Sequence, residues 1–497
     1  MLSKPEVTVA TTKKELDWVD ATEYVNKNIA EEKLKKESAG KETVNEETGD
    51  KDTVESVLHS EPVRPKYEFV LNFHMPHDSL KSLGEGLLLA APGIGMLLGF
   101  APVSKLIFKV GIKNSLFVLG LLSSFGMAFI PLVLGDHNRI YLIVARIFLG
   151  FISAGTFASI GSHIIKWQPI RDQTSSLNLS MLSIVLGPLF SWPLVYFCDG
   201  STSTKNVHYV LAVLTIIISI IFYFIYRNNP SEHAWVKGTE LFKIQTRKVL
   251  STRLNKNSIM KVLKSFDTWN IVACSLAYFH LISFAVTLLP IFAATVLKKE
   301  GHSLIMSSTT PIILQILSHV AMHYLQKSLE LSNSVYRTRM CNSIAYFTSA
   351  LFLASCMVVF SKNLNETIIY TLVACSFAPI GFVFFGFLQC TTSIGKLYGQ
   401  YIITLFQLAF ALALTFTPFL AIFGASNNLL VEWKFFFLII AIIFLLCNIA
   451  YILLVETQPL DFAENSWLPD TKDTNQTVRL IRFEDDCGIM EMKAIKK

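Results

Sequence analysis

The chain is dominated by long apolar runs. About eleven of them contain the roughly 20 residues that a helix needs to cross a hydrocarbon core of about 30 Å. Apolar and polar residues do not alternate within the runs, which excludes a β-barrel and indicates helices. These features predict an all-α integral membrane protein in a lipid bilayer. We place the spans near 86–104, 115–134, 140–165, 177–197, 207–226, 270–295, 304–325, 340–360, 367–391, 400–424 and 434–455.

Polar segments divide the chain into five parts. Residues 1–65 are rich in Glu, Lys, Thr and Asp, which predicts a disordered tail, and 457–497 form a second polar tail. A basic segment at 227–267 separates an N-terminal helical bundle, 84–226, from a C-terminal bundle, 268–456. Because Lys and Arg accumulate in cytosolic loops, we expect the basic segment to face the cytosol. Two bundles joined in this way are typical of secondary transporters built from repeats.

Composition and motifs argue against other classes of protein. Of 497 residues, 52% are hydrophobic and 16% are charged, too apolar a balance for a soluble domain. The net charge of +6 resides mainly in short loops, so we expect no nucleic-acid partner. No phosphate-cradling loop, nucleophile elbow or metal signature occurs, so we expect no enzyme, cofactor or metal. Cysteines within apolar runs are interpreted as packing residues: Cys274, Cys356, Cys375, Cys390 and Cys447.

One apolar run carries an arginine near its beginning. The stretch RIFLGFISAG starts at Arg146 and leads into KWQPIRDQ, which ends at Gln173. This arrangement resembles the fourth helix and following loop of the anion:cation symporters of the major facilitator superfamily, which include sialin, the vesicular glutamate transporters and related sodium-phosphate cotransporters. The matching positions are Arg146, Gly150, Trp167, Pro169, Asp172 and Gln173.

Three further stretches agree with that family in the right order. GMLLGFAPVSKLIFKVGIK at 95–113 is similar to the end of its second helix. NNPSEHAWVKGTEL at 228–241 resembles its Pro-x-Glu-His segment after the sixth helix. The run at 432–454, with its opening Glu-Trp, is similar to its last helix. The resemblance covers roughly 84–465.

The resemblance implies two pseudo-symmetric six-helix bundles and secondary active transport of a small organic anion or inorganic phosphate, coupled to H⁺ or Na⁺. Only eleven spans are clear, and 66–80 is too short and polar for another. Either the first helix is missing or the N-terminal tail lies outside. The chain has Ser153 in place of a family glutamate and Tyr278 in place of the arginine of glutamate transporters. The alternative is therefore a degenerate, transporter-like scaffold or regulatory protein without transport.

Arg146 is the leading candidate for substrate binding. A carboxylate or phosphate loses its hydration inside a membrane and must be paired there, and Arg146 is the arginine that lies well inside a span. The alternative is a packing arginine that reaches the nearer interface. Tyr278 and Gln407 are further substrate-binding candidates, and the alternative for Gln407 is an interhelical hydrogen bond.

Histidines are the candidates for proton coupling. Between 86 and 430 the acids are expected in loops, so we assign coupling to histidines within spans. His280 comes first because it lies deep in its span, followed by His163 and His323. The alternative for each is a hydrogen-bonded packing residue.

The remaining candidates concern gating and modification. Glycines and prolines within spans permit close helix approach and bending, and those proposed for gating or packing are Gly150, Gly155, Pro188 and Pro418. The loop motif is represented by Trp167, Pro169 and Asp172. Of the three Asn-x-Ser/Thr sequons, Asn365 is the one expected on the outer face, where glycosylation takes place. Either the plasma membrane or an endolysosomal or vesicular membrane fits the sequence.

Overall fold

The computed structural model describes residues 83–133, 139–197, 201–246, 248, 256–326, 334–361, 366–424, 430–460, 463, 479–484 and 490–495. The tail 1–65, the short stretch 66–80 and the sequon at Asn365 lie outside these residues. Within them, the membrane-spanning part is helical throughout.

The first half of the chain contains seven α-helices before the basic segment. A short 3₁₀ turn, Ile170–Asp172, follows the fourth helix. The helices are α1 Leu83–Val110, α2 Ile112–Val133, α3 Arg139–Ser153, α4 Thr156–Trp167, α5 Gln173–Met181, α6 Ser183–Phe197 and α7 Ser201–Ile225.

The basic segment and the second half contain ten more helices. The basic segment holds the 3₁₀ turn Pro230–Glu232, α8 Gly238–Gln245 and α9 Lys256–Lys264. Two further 3₁₀ turns, Ala378–Phe384 and Lys396–Tyr398, interrupt the second half, and one π turn, Phe284–Leu288, joins α10 to α11. The helices are α10 Phe266–Ser283, α11 Leu289–Thr295, α12 Gly301–Leu325, α13 Ser334–Ser361, α14 Glu366–Cys375, α15 Phe387–Gly395, α16 Gly399–Gly424 and α17 Leu430–Leu454.

The described residues contain 10 helical stretches that are long and apolar enough to cross a membrane. One of them, Glu366–Ile422, has 57 residues, about twice the length that one crossing needs, and it covers two of the predicted runs. The predicted runs and the helical membrane fold are thereby confirmed. Outside the spans, the C-terminal tail adds a feature that the sequence did not predict, an antiparallel pair of strands, β1 Arg479–Glu484 and β2 Met490–Ile495.

Glycines bring α1 and α3 into backbone contact. A Cβ atom on Gly95 would lie 2.0 Å from the carbonyl oxygen of Ile147, and one on Gly150 would lie 2.1 Å from that of Pro92. Distances this short exclude any side chain larger than hydrogen unless the backbone moves. Small residues are common where membrane helices pack closely, because lipid gives no hydrophobic driving force between helices. Gly150 is therefore required by packing.

The two halves contact each other along a continuous interface. Helix α16 of the second half packs against α1 and α4 of the first half, and α12 packs against α5 and α6. At the centre, the ring of Phe157 in α4 meets Phe279 in α10 at 5.4 Å and Phe406 in α16 at 6.2 Å, both edge to face, an arrangement that aromatic rings favour. In the most apolar stretch of the span that contains α10, 78% of the residues are buried, whereas in that of α7 only 11% are. Helix α10 is therefore central and α7 peripheral.

The beginning of the basic segment is anchored on the first half. Gly111, between α1 and α2, has a φ of +91°, a conformation that glycine adopts without strain. Asn228 fills the space beside it, and its Oδ1 accepts a hydrogen bond of 3.0 Å from the backbone N–H of Lys113. The chain leaving α7 is thus held against the α1–α2 turn.

Candidate functional site between the helix bundles

Arg146 lies about six residues into its span, roughly 9 Å along the helix. Its side chain is half-buried, and its Nη1 donates a hydrogen bond of 3.2 Å to the carbonyl oxygen of Leu88 in α1. In a regular helix that carbonyl would accept from the residue four positions later. That residue is Pro92, which has no N–H. Arg146 therefore supplies the donor that Pro92 lacks.

Gln407 of α16 connects the two halves. Its Oε1 accepts a hydrogen bond of 3.2 Å from the backbone N–H of Phe157, and its Nε2 lies 3.5 Å from Sδ of Met96. Phe157 is the second residue of α4, where the first N–H groups of a helix have no intrahelical acceptor. The buried amide of Gln407 thus caps a helix of the opposite bundle. This is the interhelical hydrogen bond that the sequence analysis gave as the alternative to substrate binding.

The structure places the predicted histidines in three separate contacts. Nδ1 of His280 lies 2.9 Å from Oγ1 of Thr417, within the second half. Nδ1 of His163 lies 3.2 Å from the hydroxyl of Tyr226, within the first half. His323 contacts the opposite half, since its Nδ1 lies 2.5 Å from Oγ of Ser175 in α5.

Three polar pairs join the halves at the start of α5, and we call them the polar ladder. The hydroxyls of Thr174 and Thr392 lie 2.6 Å apart, and Oγ of Ser175 lies 2.5 Å from Nδ1 of His323. Nδ1 of His319 lies 2.6 Å from Oδ1 of Asn178. The Asn178 amide also donates a hydrogen bond of 3.0 Å to the His319 carbonyl. The ladder is a set of hydrogen bonds between helices of opposite bundles.

His319 and Glu85 were missed by the sequence analysis. His319 is fully buried, whereas His323, four residues later on the same face, is half-buried. The spacing of Gln315, His319 and His323 along α12 was the available signal, since residues four apart share a helix face. Glu85 lies one residue before the range in which acids were sought, yet it is buried in the first turn of α1.

Tyr278 belongs to the same region as His319. Its hydroxyl accepts a hydrogen bond of 3.1 Å from Nε2 of Gln315, and its ring meets that of His319 edge to face at 6.2 Å. The predicted substrate residue Tyr278 is thus part of a buried polar group next to the ladder. Arg146, by contrast, lies at the α1–α3 contact.

The two loop motifs that carry the family resemblance meet in space. The rings of Trp167 and His233 lie 5.6 Å apart, edge to face, and His163 stacks on Trp167 at 5.9 Å. Together with Tyr226 and apolar residues of α7, they line a pocket of about 410 Å³. Pro169 precedes the Ile170–Asp172 turn that carries Asp172. The motifs thus fix the exit of α4 against the segment after α7.

Lys248 secures the same exit from α4. Its Nζ donates hydrogen bonds of 2.8 Å to the carbonyl of Ile165 and 3.3 Å to that of Lys166. These carbonyls belong to the last turn of the helix, where acceptors lack intrahelical donors. Burial lowers the pKa of Lys248 from 10.5 to about 8.

Gly155 has close packing contacts, and the two candidate prolines lie inside helices. A Cβ on Gly155 would lie 2.7 Å from Ile107 and 2.9 Å from Val103. Pro188 and Pro418 lie inside α6 and α16.

Among the described residues, no group of three or more His, Cys, Asp or Glu side chains is arranged to hold a metal ion.

Comparisons with known proteins agree with this architecture. The chain is 24% identical over 341 residues to sodium-dependent phosphate transport protein 1 of Mus musculus, covering 63% of this chain and 71% of that protein. It is 21% identical over 309 residues to probable anion transporter 7 of Oryza sativa subsp. japonica, covering 60% and 69%.

Solved structures share the fold. The proton:xylose symporter XylE bound to 6-bromo-6-deoxy-D-glucose matches with a TM-score of 0.58 and 14% identity, over 81% of this chain and 96% of that one. The E. coli fucose:proton symporter FucP matches with a TM-score of 0.51 and 12% identity, over 78% and 95%. The family model of the Major Facilitator Superfamily matches residues 69–402. With more than half of its length matched, the chain belongs to the major facilitator superfamily.

Proposed function

We propose that this protein is a secondary active transporter of a small organic anion or inorganic phosphate, coupled to H⁺ or Na⁺, that alternates access between its two helix bundles. The named functions of the phosphate transport protein and the anion transporter support the substrate class. Superfamily membership supports transport by two bundles around a central site. The basic segment 227–267 faces the cytosol in this proposal.

The observation that carries the substrate class is Arg146. An arginine facing lipid at the centre of a span costs about 2.5 to 3.5 kcal/mol on insertion scales, and pairing with a bound anion offsets such a cost. A guanidinium stays positively charged at physiological pH. Its planar fork fits carboxylate and phosphate in a bidentate manner. Its location on α3 beside α1, a helix of the bundle interface, suits an anion site that changes as the bundles move.

The polar ladder is suited to such movement. Each of its hydrogen bonds contributes about 0.5 to 1.5 kcal/mol, so the three pairs can separate without a prohibitive cost. Water replaces the lost partners when the interface opens. We assign the ladder the role of holding the bundles together near the beginning of α5 in the state described.

The test is uptake of labelled phosphate and of organic anions into vesicles containing the purified protein, normalised to the amount of inserted protein. Arg146→Lys retains the charge but loses the fork, so uptake falls. Arg146→Gln retains an N–H donor for Leu88 but loses the charge, so uptake is abolished. The matched control is Arg227→Gln, since Arg227 bonds backbone carbonyls near the end of α7.

Two outcomes contradict the proposal. Parental uptake in Arg146→Gln would show that the charge of Arg146 does not bind the anion. Absence of uptake of every anion by the well-folded parent, under both proton and sodium gradients, would favour the alternative of a transporter-like protein without transport.

A further inference from the structure

The hydrogen bonds of Asn178 determine the proton position on His319. The Asn178 amide nitrogen donates to the His319 carbonyl oxygen at 3.0 Å, so the other end of the amide is the oxygen, an acceptor. This oxygen lies 2.6 Å from Nδ1 of His319, and an amide oxygen can only accept. Nδ1 must therefore carry the hydrogen. In the neutral ring, Nε2 is then a bare lone pair.

Two buried acceptors near the ladder lack a hydrogen-bond partner within the part of the chain that the structure describes. His319 and Gln315 are fully buried, and among the described residues neither Nε2 of His319 nor Oε1 of Gln315 has a hydrogen-bond partner. The two residues are four positions apart on α12 and so share one face. The Gln315 nitrogen is already engaged by the hydroxyl of Tyr278. Leaving buried acceptors unpaired costs about 1 to 3 kcal/mol each. A proton bound at Nε2 of His319 would relieve part of this cost.

No formal charge from the packed elements near His319 compensates a cation there. Segments 173–197, 284–295 and 376–395 contain no Asp, Glu, Lys or Arg. Helix α14 contributes Glu366, at its first residue, together with Tyr370 and Cys375. The titratable groups closest by contact are Tyr278 of α10 and His323 on α12 itself. A proton on Nε2 would thus create a positive charge that has no carboxylate counter-ion among the described residues.

We propose that Nε2 of His319 is a proton-binding site within the interface of the two bundles, and that the bound proton favours their separation. A hydronium ion transfers a proton to the Nε2 lone pair, so an N–H bond forms, an O–H bond breaks and a water molecule is released. An uncompensated buried cation is costly, whereas the opened interface admits water to solvate it. By linkage, the state that binds the proton more strongly gains population as the pH falls. The inference rests on the proposed alternation between two bundles.

The site differs from the sequence-predicted proton sites in two respects. His280 and His163 each bond within one half of the protein, and His323 is half-buried. His319 is fully buried and bonds across the interface, so its protonation acts directly on the contact between the bundles. We assign the pH response of the ladder to the pair of His319 and Asn178, and the comparison with His323 tests that assignment.

The experiment measures interface opening without substrate. Thr174→Cys places a thiol where the ladder contacts Thr392, and a water-soluble maleimide reports its exposure. Labelling of this cysteine is quantified by mass spectrometry from pH 8 to 5, and each rate is divided by the rate in denatured protein at the same pH. In the parent background, normalised labelling increases as the pH falls, by up to about tenfold per unit below the titration midpoint.

Three variants in the Thr174→Cys background test the assignment. His319→Asn retains a donor at the position of Nδ1 but has no Nε2, so the pH response disappears. The matched variant His323→Asn, on the same face of the same helix, retains the response. Asn178→Asp gives the imidazolium a carboxylate partner across the interface but loses the donor to the His319 carbonyl, so labelling at pH 8 rises while its increase on acidification is suppressed. Circular dichroism and gel filtration establish folding for each.

The outcomes separate this inference from the proposed function. An unchanged pH response in His319→Asn, or a flat response in the parent, overturns the proton site even if anion uptake is observed. If His319→Asn does not fold, an undiminished response in Asn178→Asp overturns it instead. A response that depends on His319 in a protein without anion uptake would support the proton site and contradict the proposed transport.

Discussion

The guanidinium of Arg146 donates a hydrogen bond to the carbonyl of Leu88, and Pro92 explains why that carbonyl accepts it. The contact joins α3 to α1 at the position where the helical donor is replaced by a proline ring. Arg146 thus has a structural contact in addition to the substrate role that we propose. These two roles make different predictions, because the first depends on Pro92 and the second does not.

The structural role is measured by a double-mutant cycle. Arg146→Ala leaves the Leu88 carbonyl without its donor, so we expect a loss of about 1 to 3 kcal/mol in unfolding free energy. Pro92→Ala restores an N–H at the fourth following residue, so the loss caused by Arg146→Ala becomes smaller in that background. Unfolding in mixed micelles gives all four values, and strict additivity would exclude the coupling. Uptake lost through Arg146→Gln should stay lost in the Pro92→Ala background.

Two glycines inside helices respond oppositely to alanine. At Gly150 the new methyl group would lie 2.1 Å from the carbonyl oxygen of Pro92, so α1 and α3 must separate. We expect Gly150→Ala to lower stability by about 1 to 3 kcal/mol. At Gly187, in α6, no atom lies within 4 Å of the new methyl, and alanine gains up to about 1 kcal/mol in helix propensity. Thermal unfolding of both variants checks the contrast, and equal shifts would contradict the α1–α3 packing.

The lowered pKa of Lys248 predicts an unusual pH dependence. Burial sets it at about 8 in the folded protein, against 10.5 ordinarily. Between these values the unfolded chain binds more protons, so this residue's contribution to stability rises with pH across that window. Below about pH 8 the lysine is charged in both states and the full cost of its burial remains. The acetylation rate of Lys248, followed by mass spectrometry, should have a midpoint near pH 8 in folded protein. In denatured protein the midpoint should return toward 10.5.

The topology predicts opposite accessibility at two exposed sites. Glu240 lies in α8 of the basic segment, and His302 lies in the first turn of α12. An impermeant maleimide should label Glu240→Cys from the cytosolic side only and His302→Cys from the opposite side only. Peptide mass spectrometry distinguishes these thiols from native cysteines. Labelling of both from one side would contradict the assigned orientation.

The spans were predictable because hydropathy is a local property, and most observed ends lie within a few residues of the predicted ones. Glu85 was missed because hydropathy marks only the most apolar part of a helix, and α1 begins at Leu83, before the predicted start of the span at residue 86. The tail strands were missed because two six-residue segments in a polar region carry a weak local signal.

The site was less predictable because its contacts are distant in sequence. Pro92 is visible in the sequence, but nothing local shows that Arg146 meets the carbonyl Pro92 leaves without a donor. The pair of His319 and Asn178 is separated by 141 positions, so neither residue alone indicates a bond between bundles. Arg146 was found as a candidate because a charge within an apolar run stands out locally.

The basic segment is attached to the N-terminal bundle through Asn228 and Lys248, and its last helix contacts the C-terminal bundle. Asn228 is bound to the α1–α2 turn and Lys248 to the end of α4, whereas α9 packs against α10 and α16. Asn228 and Lys248 therefore attach their part of the basic segment to the N-terminal bundle, whereas α9 is attached to the C-terminal bundle. The natural place to sever this protein into two co-expressed pieces is between Lys248 and Lys256, well downstream of the end of α7.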